Sequence, residues 1–328
     1  MTTRAPLVLV GGKIVELPTG DKIGGAPAGE DGTNGVNAET INGTCCGRLT
    51  LESGVAVSTS DQSSKTTVYF TPFMGAQIGL YDGSQWAVIS FSETSLALGT
   101  LTSGKNYDVF AYNNSGTLAL ELSAAWTSDT TRSDALALQN GIYVKSGTTT
   151  RRYLGTFRTT STTTTEDSAG GSSGSVGGKR FLWNYYNRRR RPLHVIDTTD
   201  SWIYATTTWR QARATAGNKV EYVSGINDEV IQAHLTVVIQ NTATSGSSII
   251  SIAQDSITVP SLFTGSAFNN GGLQAQATTA VFNGYAGLGY HYLAWMEKGG
   301  GTGGSGTTNW FGDNAGAFQS GLTAFINC

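Results

Sequence analysis

Charged residues are scarce in this sequence. They make up 13% of its 328 residues, and the net charge is only −2. Globular domains usually carry about 25% charged residues. Long solvent-facing helices need Glu and Lys on their outer faces, so we expect few helices here. A nearly neutral chain also lacks the field that draws a protein to nucleic acid or to an anionic membrane, so we expect neither specific nucleic-acid binding nor membrane insertion.

Cysteine is rare as well, with three residues in the chain. Cys45 and Cys46 are adjacent and are poor partners for each other, while Cys328 lies far from both. Their spacing matches no zinc motif. We therefore expect free thiols, as in proteins made in a reducing cytosol. A bond from Cys328 to a neighbouring subunit is the alternative.

Histidine is equally rare, and its occurrences are far apart. An isolated histidine is more often a packed or exposed side chain than a ligand or a general base. We therefore expect no metal, no cofactor and no catalytic residue at these positions. The histidines are His194, His234 and His291.

Long hydrophobic runs are missing too. A membrane helix needs about 20 apolar residues, whereas the apolar run at residues 5–10 is short and contains Pro6. This run is also too short for the core of a secretory signal. We expect a soluble protein that stays in the cytoplasm where it is made unless lysis releases it.

Thr, Ser, Gly and Asn take the place of the missing charge, and they suit strands and turns. Short β-branched and aromatic runs recur roughly every ten residues. Hairpin turns are indicated at Asp82-Gly83 and at residues 113–116. Leu118 and Leu120 alternate with polar or small neighbours, so one face of that strand packs. The pattern predicts an all-β fold with an antiparallel, jelly-roll-like sandwich body, either one composite sandwich or two.

Two stretches depart from the strand pattern. Residues 131–139 predict a short helix. Residues 159–165 are almost all Thr and Ser, and residues 169–178 are rich in Gly and Ser, which predicts a long exposed loop or hinge. This hinge separates a first β region, 44–165, from a second one, 166–328, with a single module as the alternative.

Residues 1–43 differ from the rest of the chain. Two short apolar strand signals are followed by a Gly-, Asp- and Asn-rich stretch that is too polar to bury a core. We predict an attachment segment and a tether, with the segment adding strands to a sheet edge of another protein or of a neighbouring chain. The alternative is that it adds strands to the chain's own sandwich. The predicted anchoring residues are Leu7, Val8, Leu9, Val10, Ile14, Val15 and Leu17.

The opening sequence APLVLVGGKIVELPTGD resembles the start of many fibre and virion proteins of tailed bacteriophages. Several stretches of the body are similar to a widespread phage structural module, and together they cover most of residues 44–296. They include TVYFTPFMGAQIGLYDGSQW (67–86), LALGTLTSGKNYDVFAY (96–112), residues 129–159, KRFLWNYYNR (179–188), DTTDSWIYATTTWRQA (197–212) and GYHYLAW (289–295).

This resemblance implies a structural subunit of the virion, assembled in the host cytoplasm, and it carries over no catalytic residue. We expect a fibre or surface decoration protein that is not an enzyme, forms a homotrimer and contacts other virion proteins of the capsid, portal, collar or tail. A host-surface glycan is a further expected partner. The alternative is a polysaccharide-degrading tail spike or a carbohydrate-binding module.

Asp197 and Asp200, close to Trp202 and Tyr204, give the best match to a sugar-cleaving site, which needs two carboxylates about 5–10 Å apart. Asp and Thr also stabilise turns that lead into strands, and we prefer this interpretation. For glycan contact, Trp310 in its Gly-rich surroundings is predicted to be the most exposed tryptophan. Trp202 and Tyr204 are the other candidates.

The most charged feature is a run of arginines after Tyr185 and Tyr186. It fits a solvated loop or edge-strand guard, salt bridges between subunits to acidic loops such as Asp228-Glu229, or binding of nucleic acid or anionic glycan. The net charge of −2 argues against the last interpretation. The run consists of Arg188, Arg189, Arg190 and Arg191.

Overall fold

A computed structural model of the chain divides it by internal contacts into two compact units, residues 1–40 and residues 41–328. Each unit is described by itself below. The structure describes residues 7–10, 13–16, 42–171, 175–241, 247–261, 264–268, 274–300, 307–314, 316 and 318–328.

The described part of the first unit is a hairpin. Strand β1 (Leu7–Val10) pairs antiparallel with strand β2 (Lys13–Glu16), and Val8 lies opposite Val15. The predicted anchoring residue Leu17 lies outside the described residues, while the other anchoring residues belong to these strands.

Short strands build the first half of the second unit, as expected for runs of β-branched and aromatic residues. The strands are β3 (Gly47–Thr50), β4 (Gln62–Lys65), β5 (Thr67–Pro72), β6 (Gln77–Tyr81), β7 (Trp86–Ser90), β8 (Thr94–Ala97), β9 (Asn106–Asn114), β10 (Thr117–Leu122), β11 (Leu136–Gln139), β12 (Ile142–Lys145), β13 (Thr148–Arg158), β14 (Thr165–Gly170), β15 (Gly177–Arg180) and β16 (Leu182–Asn184). One sheet has the order β3-β5-β8, a second is the pair β6-β7, and a third has the order β10-β9-β13-β12-β11 with β16 also paired to β13.

A fourteen-stranded sheet dominates the rest of the unit. Its strand order is β18-β26-β21-β29-β17-β14-β15-β20-β25-β22-β23, and β4, β19 and β24 pair with β14, β25 and β21. The remaining elements are β17 (Arg190–Ile196), β18 (Ser201–Ile203), β19 (Arg210–Gln211), a 3-10 turn (Ala212–Ala214), β20 (Lys219–Ser224), β21 (Val230–Asn241), β22 (Ser247–Gln254), β23 (Thr264–Phe268), β24 (Ala275–Tyr285), β25 (Gly289–Lys298), β26 (Thr308–Phe311), β27 (Asp313–Asn314), β28 (Phe318–Gln319) and β29 (Gly321–Asn327).

The core of this large sheet follows from strict alternation along its strands. In β21, buried Ile231, Ala233 and Leu235 alternate with exposed Gln232 and His234. The inward side chains of β17, β21 and β29 pack in one cluster with those of β20, β22 and β25. Two layers of strands therefore enclose one core, and the predicted all-β fold with an antiparallel sandwich body is confirmed. A second cluster joins β3, β5 and β6 to β9 and β13.

The helix predicted over residues 131–139 is wrong, because Leu136–Gln139 is strand β11, paired with β12. The turn between the two strands is Asn140-Gly141, whose φ angles are 50° and 82°. Asn-Gly is the favoured sequence for a two-residue hairpin turn with positive φ at both positions. The turn and the cross-strand pairing outweigh the weak local helix propensity.

The exposed loop predicted over residues 159–165 and 169–178 is correct for residues 160–164, where Thr160, Thr162 and Thr163 are exposed, and residues 172–174 lie outside the described part of the chain. The prediction is wrong for the ends of these stretches. Thr165 is buried and begins β14, which pairs with β15. Glycine permits close packing here, since a Cβ on Gly178 would lie 2.1 Å from the carbonyl oxygen of Ala169. β14 also pairs with β4, so strands from both predicted β regions share one sheet.

Candidate binding face

Four neighbouring strands, β17, β29, β21 and β24, present one continuous surface to the outside of the sandwich. His194 lies opposite Thr323, Thr323 lies opposite His234, and His234 lies opposite Val281. Residues directly opposite each other in adjacent strands point to the same side of a sheet. The neighbours of these residues along each strand, such as Leu193 and Leu235, belong to the core.

We call the outward positions of these strands, over the stretch where all four run side by side, the outer face, and none of these positions is buried. Among them only Arg190 carries a fixed charge, and the others are two histidines, amide and hydroxyl side chains, apolar residues and one glycine. The outer face consists of Arg190, Pro192, His194, Ile196, Val230, Gln232, His234, Thr236, Thr279, Val281, Asn283, Tyr285, Gly321, Thr323, Phe325 and Asn327.

Two open grooves cross the outer face. The larger has a volume of about 400 Å³ and lies where Gly321 leaves a gap between the side chains of Ile196 and Thr236. Gly170 and Gly171 form part of its lining. The smaller groove, of about 290 Å³, lies at the other end of the face and is lined by Arg190, Val230, Gln232, Phe325, Ile326 and Asn327.

Two side chains of the outer face that can carry charge have defined surroundings. Burial and the nearby Arg180 guanidinium lower the pKa of His194, although Asp61 opposes the shift, so this imidazole is neutral at pH 7. The guanidinium of Arg190 lies 4.4 Å from the ring centre of Phe325 and donates to Gln232 at 3.0 Å. Arg190 is thus held against the sheet by stacking and a hydrogen bond.

The opposite outer surface of the sandwich, over β15, β20 and β25, has the charge that the outer face lacks. Lys179 pairs with Glu166 at 3.2 Å, and Lys219 pairs with Glu221 at 3.1 Å. Lys298 adds a further charge beside Trp209. Charged pairs of this kind are what a solvated sheet surface normally carries.

The arginine run lies away from these grooves, apart from Arg190, and its members have partners inside the chain. Arg188 Nη2 lies 2.9 Å from Asp228 Oδ2, and Arg188 also pairs with Glu229. The acidic residues that were predicted to bind a neighbouring subunit's arginines are therefore occupied within one chain. One of the three interpretations of the run named these partners but placed the salt bridges between subunits, whereas the structure forms them within one chain.

The edge-strand interpretation of the run is also wrong. β17 lies inside the large sheet, between β29 and β14. Arg191 is buried, donates to the carbonyl oxygen of Ser58 at 2.6 Å and lies 3.4 Å from Asp167. The Arg189 guanidinium lies 4.9 Å from the ring centre of Phe73. The run therefore connects the large sheet to the first half of the unit.

The carboxylate of Asp197 belongs to a buried polar cluster. It is fully buried and accepts hydrogen bonds from Arg213 Nε at 2.8 Å, Asn218 Nδ2 at 2.7 Å and the Thr199 amide at 2.9 Å. Burial by itself would raise the pKa of Asp197, but these bonds outweigh it and hold the pKa below its usual value. Asp200 is exposed. The bond from Thr199 is the turn contact that the sequence predicts.

Glu297 is a second buried carboxylate of this cluster, and sequence analysis missed it. It accepts hydrogen bonds from Trp202 Nε1 at 2.8 Å, Arg210 Nε at 2.7 Å and the Arg213 amide at 2.9 Å. Burial raises the pKa of Glu297, although the hydrogen bonds to Trp202 and Arg210 oppose the shift. Trp202 and Arg210 are far from Glu297 in sequence, so no local pattern could have paired them.

Of the three residues predicted to contact glycan, one is buried and two are half-buried. Trp310 is 0% exposed, and its indole donates to the Tyr204 carbonyl oxygen at 3.0 Å, so its predicted exposure is wrong. It lies on β26 opposite Trp202 and Ile239, inside the core. Trp202 is half-buried with its indole bonded to Glu297. The ring of half-buried Tyr204 lies 3.6 Å from the Arg210 guanidinium.

Within the described ranges, no helix is long and apolar enough to cross a membrane. In the same part of the chain, no three His, Cys, Asp or Glu side chains come together as a metal site.

No family model and no curated protein matches this chain. Among solved structures, one similar chain is the insecticidal delta-endotoxin Cry8Ea1 from Bacillus thuringiensis, with 6% sequence identity and a TM-score of 0.24. The alignment covers 86% of this chain and 51% of the toxin chain, so this chain spans about half of the toxin's length. A similarity this low carries no argument about function.

Proposed function

We propose that this protein is a non-enzymatic structural subunit of a tailed-phage particle, either a fibre or a surface decoration protein. It is fastened to the particle by its N-terminal segment, presents the β body outward and acts in several copies, as a homotrimer. The observation that carries the proposal is the division of the chain at residues 40 and 41 into a small unit, whose described part is a hairpin, and a large body. The resemblance of the opening sequence to phage virion proteins supports the same function.

The hairpin is the part of the molecule that needs a partner. Two strands of four residues, β1 and β2, are at best marginally stable in water. Adding the hairpin to the sheet edge of another virion protein would satisfy its main-chain hydrogen bonds, and its apolar side chains would supply the fit. The polar stretch that follows in the sequence suits a tether between bodies of different symmetry.

The buried charges of the body support a structural function over a catalytic one. Asp108 accepts from Arg132 at 2.8 Å and from Thr156 at 2.6 Å, in the same way that Asp197 is held by its partners. Such closed pairs fix the packing of distant strands, and their carboxylates have no free path to a substrate.

A truncated protein that begins at Ile41 tests the proposal. It should express as a soluble protein with the melting temperature of the full-length chain, because the body is a separate unit, and it should be absent from purified virions. A full-length chain with Val8→Asp and Val15→Asp should behave in the same way, whereas Lys13→Ala should be incorporated normally. Normal incorporation of the truncated protein would exclude the anchoring function, and an insoluble truncated protein would mean that the hairpin belongs to the body.

The position on the particle requires a separate measurement. Negative-stain images of virions labelled with antibody to this chain should place the label at a fibre or on the head or tail surface. Absence of label from intact virions that contain the other structural proteins would contradict the proposal.

A further inference from the structure

We propose that the outer face, formed by β17, β29, β21 and β24, is the surface through which one copy of this chain contacts the next. This inference deepens the proposed function and rests on the part of it that assigns the protein several copies per particle.

Charge is distributed unevenly over the two sides of the sandwich. The surface over β15, β20 and β25 carries the pairs Lys179–Glu166 and Lys219–Glu221, whereas the outer face has only Arg190. Interface centres are depleted in charged residues relative to the remaining surface. A face with a single fixed charge is also compatible with a second copy of itself, because few like charges can oppose each other on contact.

The area of the outer face sets the strength of contact that it can support. Four strands spaced about 4.8 Å apart, each contributing the seven residues of a strand such as β17 at about 3.4 Å per residue, cover a flat area of roughly 450 Å². Protruding side chains make the accessible area larger than the flat area. A standard interface takes about 800 Å² from each partner. The outer face therefore suits weak and reversible contact, which becomes effective when copies are held side by side on a particle.

A glycan fits the outer face less well than a second copy does. Sugar rings stack on uncovered aromatic rings, and in the smaller groove the ring of Phe325 is covered by the guanidinium of Arg190. Tyr285, 67% exposed, lies at the margin of the face, opposite Val230. Exposed apolar side chains at this margin would instead gain from burial against a flat protein surface.

The test is the mass of the protein in solution, measured by sedimentation velocity from micromolar to about 100 μM protein. Thr236 is exposed in the row of the outer face beside the larger groove, and Thr117 is an exposed strand residue of another sheet. The full-length protein should self-associate. Thr236→Glu should weaken the association by roughly tenfold or more, because each contact would then bury an unpaired carboxylate. The matched variant Thr117→Glu should associate as the unmodified protein does.

A second variant distinguishes a loss of the contact from misfolding of Thr236→Glu. Thr279→Glu, at an exposed outer-face position on β24, should have the same effect with an unchanged circular dichroism spectrum and melting temperature. A monomer at all concentrations, or association that neither variant weakens, would overturn the inference. The same holds if binding to a glycan array, and not self-association, is lost in Thr236→Glu. These outcomes are separable from the proposed function, because virion incorporation of the truncated protein is measured independently.

Discussion

Replacing Asp197 with Asn is a sharp probe of the buried cluster at the start of β18. The substitution keeps the size and shape of the side chain and removes its charge. In the native protein one carboxylate oxygen accepts from the Thr199 amide, and the other accepts from Arg213 Nε and Asn218 Nδ2. An Asn side chain has one acceptor oxygen and one donor nitrogen. Its nitrogen must therefore face a donor, either the Thr199 amide or the pair formed by Arg213 and Asn218.

The magnitude follows from these contacts. An orphaned buried donor costs about 1–3 kcal/mol, and the loss of a charge-assisted bond to Arg213 adds about 1 kcal/mol. Since the Arg213 side chain is partly exposed, its guanidinium keeps some hydration, and the cost of an unpaired buried charge does not apply in full. We expect Asp197→Asn to lower the free energy of unfolding by about 2–4 kcal/mol at pH 7.

The pH dependence has a defined sign. Hydrogen bonds hold the pKa of folded Asp197 below its usual value, despite the opposing effect of burial. The carboxylate therefore stabilises the fold above its unfolded pKa of about 4, and this stabilisation is lost as the pH falls through the lower folded pKa. The difference between the native protein and Asp197→Asn should accordingly be full at pH 7 and should shrink below pH 4.

Urea denaturation followed by tryptophan fluorescence measures the effect as a shift of the midpoint at constant slope. The matched control is Asp200→Asn, because Asp200 is exposed and should change the stability by less than about 0.5 kcal/mol. Equal stability of Asp197→Asn and the native protein at pH 7 would refute the reasoning. Loss of a glycan-cleaving activity in either variant, at unchanged stability, would instead favour the tail-spike alternative.

Two further predictions concern a tryptophan and a histidine. Trp310→Ala should destabilise the body by about 3–5 kcal/mol, because Trp310 is fully buried. Ile203→Ala, at a side chain 66% exposed on the paired strand β18, should have little effect. Similar urea midpoints for both variants would contradict this prediction. Since the pKa of His194 is lowered by burial and by Arg180, the unfolded chain takes up its proton first, and stability should fall as the pH drops below about 6.5. His194→Gln should lose less stability than the native protein between pH 7.5 and pH 5.5 in the same assay, and equal losses would exclude His194 as the cause.

The sequence by itself determined the fold class. Scarce charge, recurring β-branched runs and the period-two alternation of β21 are local properties, and they specify a strand with one buried face whatever its neighbours are. The Asp82-Gly83 hairpin was predictable for the same reason, since β6 and β7 flank this turn. The change of composition near residue 40 was equally visible, and it coincides with the division of the chain into two units.

The tertiary structure decided which residues are covered and which charges meet. Trp310 has a Gly-rich neighbourhood in sequence and becomes buried because β26 pairs with β18 and β21. Glu297 meets Trp202 and Arg210 only because strands distant in sequence come together. The outer face is likewise assembled from β17, β21, β24 and β29, whose order in the sheet differs from their order in the chain. Local patterns predict that a residue is buried or paired. The identity of its partner depends on strand order and register, and these depend on how the whole core packs.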